Sequence, residues 1–225
     1  EMAVVADSFH VKPLLRHVQS ADRFQVLGLT RENCQLWEGN RYGLEPVDLS
    51  GMPATIEDAL GEKEKVREQI VYGKSAGGPV MQYGVGSKQD EIDKDTERFF
   101  RVIDREMLAR FSKPGGLPLV LVAQAQHQPV FRGLSRNPHL LAAGVSLDPG
   151  ALTPEKLLQE AWKVVLPGYQ QRLERMVNDF RTALAQHKAT GDLSDAARSA
   201  VAGRIGILLL EADRHEPGRL DAAGG

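Results

Sequence analysis

RFQVLGLTRENCQLWEGNRYGLEPVDL, Arg23 to Leu49, is the stretch on which the fold turns. Arg23–Thr30 places Phe24, Val26 and Leu27 in a mostly apolar run. Asn33–Gly39 sets Cys34, Leu36 and Glu38 against Gln35 and Trp37, the alternation of a pleated strand. Leu44–Leu49 is a third candidate. The connections Arg31-Glu32 and Asn40-Arg41-Tyr42-Gly43 are short and polar, so the three strands are expected to form an antiparallel meander.

Working outward, Leu117–Ala123 (LPLVLVA) is a continuous apolar run, the pattern of a strand covered on both faces. Before it, Phe99, Phe100, Ile103, Met107, Leu108 and Phe111 recur at helical spacing and mark the buried face of a helix. Lys113-Pro114-Gly115-Gly116 stops that helix. Ser87 with Asp90 three residues later resembles a capping box that would start it. Pro53–Leu60 reads as a short helix capped by Thr55, and Glu68–Tyr72 as a further short strand. The sequence between, Gly73–Gln89 (GKSAGGPVMQYGVGSKQ), has no core of its own. A loop of that length is usually functional or disordered.

Towards the C-terminus a short helix is expected over Pro129–Leu134 and an irregular stretch over Asn137–Gly150. Thr153 caps a long helix with Pro154 in its first turn. Leu158, Trp162, Val165, Tyr169, Leu173, Met176, Phe180 and Leu184 form a stripe along about 40 Å of it. Pro167-Gly168 predicts a kink or two stacked helices. Asp192 or Ser194 caps another helix, Gly203 ends it, and Ile205–Leu210 reads as a buried strand. At the other end, Met2–Ala6 reads as a buried strand and Val11–Val18 as a short helix.

With 225 residues, 42% of them hydrophobic, the chain has material for one complete domain with partial neighbours. Flanking sequence is expected at one or both ends. A net charge of −2 provides no global field for nucleic acid, so any RNA contact must be local. Cys34 is the single cysteine, which leaves no disulfide framework and no cysteine-based zinc site. No apolar run approaches the ~20 residues of a membrane span, and no signal peptide is recognisable. A cytoplasmic protein with no membrane partner is expected.

Few residues point to catalysis. None of the six histidines, 10, 17, 127, 139, 187 and 215, pairs at i, i+4 with a glutamate as in metallohydrolases. Surface or cap roles are expected for them, although His10 and His17 share one early helix. Gly84-Val85-Gly86-Ser87-Lys88 lacks the upstream glycine of a phosphate loop, and no Gly-x-Ser-x-Gly elbow occurs. Asp90, Glu91, Asp93 and Asp95 are accounted for by the dipole at a helix start. The strands carry no matching carboxylates, so a nuclease is a poor reading. No metal site and no cofactor are expected. Arg172, Arg175, Arg181 and Lys188 read singly as a solvated helix face. Together with Lys74 and Lys88 they could touch RNA phosphates, which needs no sequence motif.

The order of segments carries a resemblance. VVADSFHVKPLL, RFQVLGLTRENCQLWEG, the glycine segment, TERFFRVIDREM and PLVLVAQAQHQPVFRGLSRNPHLL are followed by AWKVVLPGYQQRLERM and DLSDAARSAVAGRIGILLLEADRHEPGRLD. This succession resembles the bacterial relatives of the archaeal and eukaryotic class-1 peptide release factor and Pelota, a group that includes the Balon-type ribosome hibernation factors. The resemblance covers almost the whole chain.

It implies an α/β protein with an RNase H-like central domain at 21–190: an antiparallel three-strand meander, then a helix and a parallel strand, with the glycine-rich loop 73–89 projecting. Residues 1–20 would be the tail of an N-terminal domain. Residues 191–225 would open a C-terminal domain like the kink-turn-binding ribosomal proteins. In release factors the loop before the helix carries Gly-Gly-Gln, whose glutamine helps water attack peptidyl-tRNA. Here Gly77-Gly78 is followed by Pro79, Gln89 by contrast follows Ser87-Lys88, and no Gly-Gly-Gln occurs.

The resemblance therefore implies a ribosome-binding hibernation factor that occupies the A site and peptidyl transferase region without catalysis. No residue is assigned a catalytic role. Lys74, Gly77, Gly78, Gly84, Gly86, Lys88 and Gln89 are the residues that would meet ribosomal RNA. Glycine permits close backbone approach. Elongation factor Tu is left open as a co-partner, and DNA is not an expected one. Two other readings stand beside this one. The first is a release or rescue factor hydrolysing peptidyl-tRNA through Gln89 or Gln82. The second is an interaction module with no RNA partner.

Overall fold

The computed structural model describes residues 22–61 and 85–210. The expected strands Met2–Ala6 and Glu68–Tyr72, the helix Val11–Val18 and most of the glycine segment lie outside them. The chain divides into two compact units, one formed by Asp22–Pro167 and the other including Gly168–Gly225.

A four-stranded mixed sheet is the centre of the first unit. Strands β1 (Phe24–Leu29), β2 (Cys34–Asn40), β3 (Gly43–Pro46) and β4 (Leu119–Ala123) lie in the order β3-β2-β1-β4. The first three make the expected antiparallel meander. Leu27 faces Leu36 across β1 and β2, and Glu38 faces Glu45 across β2 and β3. β4 runs parallel to β1, with Leu27 opposite Leu121. β3 is shorter than the expected Leu44–Leu49. Proline at 46 has no N–H for a ladder and closes the strand, although the Val47 N–H still reaches the Leu36 carbonyl at 2.8 Å.

All residues of β1 and β4 are buried, because helices cover both faces. Helix α1 (Ile56–Leu60) is capped by Thr55, whose side chain accepts from the Asp58 N–H. Helix α2 (Val85–Met107) buries Phe99, Phe100, Ile103 and Met107 against Leu27, Leu29, Cys34, Leu36 and Leu121. Each such side chain contributes about 1.5–3 kcal/mol. After Met107 the winding loosens to a π turn, Leu108–Ser112, in which the Lys113 N–H donates to the Leu108 carbonyl. A last turn, Lys113–Gly115, ends where Gly116 takes φ +64°. Helix α3 (His127–Leu134) packs Phe131 edge-on against Phe100.

On the other face Phe24, Val26, Val120 and Val122 meet the start of helix α4 (Pro154–Ala185) through Leu157, Ala161 and Val165. Trp162 stacks obliquely on Phe24 at 6.0 Å. The irregular stretch after α3 guards the free edge of β4. Leu140 and Val145 make parallel bridges to Leu119 and Val122. The Asp104 carboxylate fastens that stretch to α2, accepting from the Ser135 hydroxyl and the Arg136 N–H.

Three expectations are corrected. α2 begins at Val85, so Ser87 lies inside the helix and cannot be its cap, which needs non-helical backbone. For the same reason Asp90, Glu91, Asp93 and Asp95 sit beyond the first turn, which holds no acid. They act locally instead: Asp95 pairs with Arg98, and Asp93 accepts from Gln89. Second, of the kink or two stacked helices expected at Pro167, the two helices do not form: α4 is one helix through that residue. That residue is exposed, so the carbonyl it leaves without a partner has access to water. Third, Ile205–Leu210 is not a strand. Among the described residues no strand pairs with it, and Ile207, Leu208, Leu209 and Leu210 are exposed. An apolar run without a ladder partner has nothing to make it a strand.

In the second unit, α4 ends at a left-handed residue, His187, with φ 55°. The Lys188 N–H donates to the Ala183 carbonyl and the His187 N–H to the Leu184 carbonyl, a Schellman ending. Helix α5 (Leu193–Val201) is capped by Asp192, the first of the two expected candidates, and Gly203 follows it at φ +65°.

Candidate functional site

The sequence points first to the glycine segment. Lys74, Gly77, Gly78 and Gly84 lie outside the described residues. Gly86, Lys88 and Gln89 lie in the first turns of α2 and not in a loop. The Gln89 amide donates to Asp93 Oδ1 at 2.9 Å. Gln89, Asp90, Glu91, Asp93 and Lys94 are exposed, and Thr96 is the first buried residue described in this helix. From Val85 to Thr96 an α-helix extends about 16 Å. The basic residues Arg172, Arg175, Arg181 and Lys188 belong to the other unit. Arg175 and Arg181 are exposed and bond within their own helix, to Gln171 and Asn178.

A cleft of about 540 Å³ opens at the carboxyl ends of the parallel strands β1 and β4. Ligands of open α/β sheets sit at that edge. Three turns form the walls. After β1, the Thr30 hydroxyl accepts from the Glu32 and Asn33 N–H groups, which holds Arg31 and Glu32 outward. After β4, the Gln124 carbonyl accepts from the His127 and Gln128 N–H groups and starts α3. The third wall is Asp148–Gly150, where Asp148 Oδ1 accepts from the Gly150 N–H at 2.9 Å.

The walls are tied together by side chains. The Gln124 amide donates to Asp148 Oδ2 at 2.8 Å, and the Gln126 amide donates to Gln124 Oε1 at 3.1 Å. Gly28 at the floor lets Trp37 and Pro149 close over β1: a Cβ there would lie 2.7 Å from the indole and 2.9 Å from the proline ring.

His127 is half-buried in this cleft with its ring against Phe100. Burial pushes its pKa below the ordinary value, the Arg31 charge pushes the same way, and the Asp148 carboxylate opposes both. The ring is therefore held neutral. Its Nδ1 is buried without a hydrogen-bond partner. Behind it, Gln128 donates to the Val145 and Leu121 carbonyls, and Arg132 donates to the Leu141 carbonyl at 2.6 Å. These bonds fix α3 to the segment that guards β4. Sequence reasoning put His127 among surface or cap histidines. It does sit at the start of α3, but the polar cleft around it is assembled from three segments distant in sequence, and no local motif marks it.

Among the described residues no group of three or more His, Cys, Asp or Glu is arranged to hold a metal ion, and no helix is long and apolar enough to cross a membrane. His10, His17 and His215 lie outside those residues. A family model, that of the bacterial archaeo-eukaryotic release factor family 3, matches residues 23–204. No curated protein matches the chain.

Proposed function

The chain belongs to the bacterial archaeo-eukaryotic release factor family 3, a release-factor-like, translation-related group, and from that premise we propose a ribosome-binding factor of the cytoplasm that holds the A site and peptidyl transferase region of an idle ribosome without hydrolysis. The observation that carries this reading is the family match over 23–204 in a sequence that has no Gly-Gly-Gln. The sheet order β3-β2-β1-β4, with β4 parallel to β1, supports an RNase H-like central domain at 21–190. Residues 191–225 are proposed to open a kink-turn-binding-type domain.

In this reading Lys74, Gly77, Gly78, Gly84, Gly86, Lys88 and Gln89 meet ribosomal RNA. The exposed residues Gln89, Asp90, Glu91, Asp93 and Lys94 of α2, ahead of the face packed from Phe99 onward, support a stalk that carries the glycine segment. Elongation factor Tu remains a candidate co-partner. Co-sedimentation with ribosomes from starved cells tests the proposal. The chain is expected to pellet and to be released steeply by salt. Its absence from every ribosomal fraction at low salt would refute the reading.

Membership in a release-factor family supports a second reading, hydrolysis of peptidyl-tRNA. The helical backbone of Gln89 and the bond from its amide to Asp93 speak against that residue as the water-positioning group. Release of labelled peptide from a stalled ribosome complex, abolished by Gln89→Ala, would establish the second reading over the first.

A further inference from the structure

The cleft at the ends of β1 and β4 is rich in hydrogen-bonding groups and poor in net charge. Among the described residues lining it the one cation is Arg31, which lies 3.4 Å from Glu32, and both oxygens of Asp148 are occupied by Gln124 and Gly150. A free phosphate finds no cluster of cations there. What the cleft does offer is carboxamides, from Asn33, Gln35, Gln124 and Gln126, beside a neutral imidazole. Each carboxamide presents an acceptor and two donors in one plane.

Coplanar donor–acceptor pairs are what the edge of a nucleobase requires, and a glutamine or asparagine amide pairs with adenine through two bonds. The planes of His127 and Arg31 add stacking surfaces of the kind that hold splayed-out RNA bases. The cleft volume, about 540 Å³, falls within the usual size of small-ligand sites. We infer that this cleft binds an unstacked nucleobase of RNA, with Gln126, oriented by its bond to Gln124, reading its edge and His127 beneath or beside its ring. The inference rests on the reading of the chain as a ribosome-binding factor, and it adds a second RNA contact away from the glycine segment.

Nuclear magnetic resonance of the whole chain tests it. The chain is titrated separately with the four nucleoside monophosphates, with ribose 5-phosphate, with inorganic phosphate and with an N-acetylated, amidated dipeptide. At least one nucleotide is expected to shift the Gln124 and Gln126 side-chain amides and the His127 ring at millimolar concentration. Ribose 5-phosphate, phosphate and the dipeptide are expected to leave them in place. Gln126→Ala, at an exposed position, should weaken that binding about tenfold without altering the rest of the spectrum. No shift with any nucleotide, or equal shifts with phosphate or the dipeptide, would overturn the inference. Co-sedimentation run alongside keeps the two ideas apart: a chain that pellets with ribosomes but ignores nucleotides loses only the base site, whereas one that binds nucleotides but never pellets keeps the base site and loses the ribosome reading.

Discussion

The His127 imidazole meets the Phe100 ring at 83° between planes, with ring centres 5.8 Å apart. Phe100 belongs to the fully buried face of α2, so this contact joins the core to the cleft. It also makes the charge state of His127 a matter of stability.

The His127 pKa is lowered from its ordinary 6.5 by burial first and Arg31 second. The unfolded chain therefore takes up the proton more readily than the folded one. Stability from the neutral ring is complete above that ordinary value and is lost as pH falls from there through the lower folded pKa. Urea unfolding at neutral pH and at about pH 5 should show a larger loss for the native chain than for His127→Gln. Equal losses would show that the ring is not held neutral.

Cys34 is buried, and its thiol pKa is pushed up to about 12 by removal from water. At mildly alkaline pH the folded chain should react with iodoacetamide on the order of a thousandfold more slowly than the unfolded chain. Mass spectrometry of timed samples, with and without denaturant, reads this directly.

Gly28→Ala places a methyl 2.7 Å from the Trp37 indole and 2.9 Å from the Pro149 ring. The expected cost is about 1–3 kcal/mol. Gly43→Ala, at a turn where nothing lies within 4 Å of the new methyl, is the matched control and should change stability by less than about 0.5 kcal/mol. Denaturant midpoints of the two variants decide the comparison.

His187 holds a backbone conformation at φ 55° that costs a residue with a Cβ. His187→Gly should stabilise the Schellman ending of α4 by about 0.5–1 kcal/mol, the relief of strain less the added freedom of the unfolded chain. Slower amide exchange at Lys188, whose N–H closes the motif on the Ala183 carbonyl, would confirm it.

Much of the architecture is legible where burial and hydrogen bonding act within short stretches. The apolar runs of β1, β2 and β4, the face of α2 from Phe99 to Met107 and the cap Thr55 are read correctly from residue spacing and type, and Asp192 is one of the two caps offered for α5. The misreadings have a common physical origin. Glycine at 86 suggests a loop, but the backbone is helical from Val85, against its local preference. Pro167-Gly168 suggests a kink or two stacked helices, and a single helix, α4, passes through it. Ile205–Leu210 has the composition of a strand, but strand formation needs a neighbour that composition does not contain. The cleft was invisible for a related reason: Thr30, Gln124 and Asp148 meet only because β1 and β4 pair in parallel and the segment after α3 returns along the edge.

The π turn at Leu108–Ser112 is a spare residue wound into an otherwise ordinary helix. It acts as a phase corrector. On its upstream side Phe99, Ile103 and Met107 must face the sheet, and immediately at its end Ser112 must accept from the Asn137 amide at 2.7 Å. Excising Ala109 would restore simple winding but turn one side by roughly 100° against the other. Either the phenylalanine face or the serine–asparagine clasp would then be lost, so a single-codon deletion here should be less forgiving than most substitutions at the same positions.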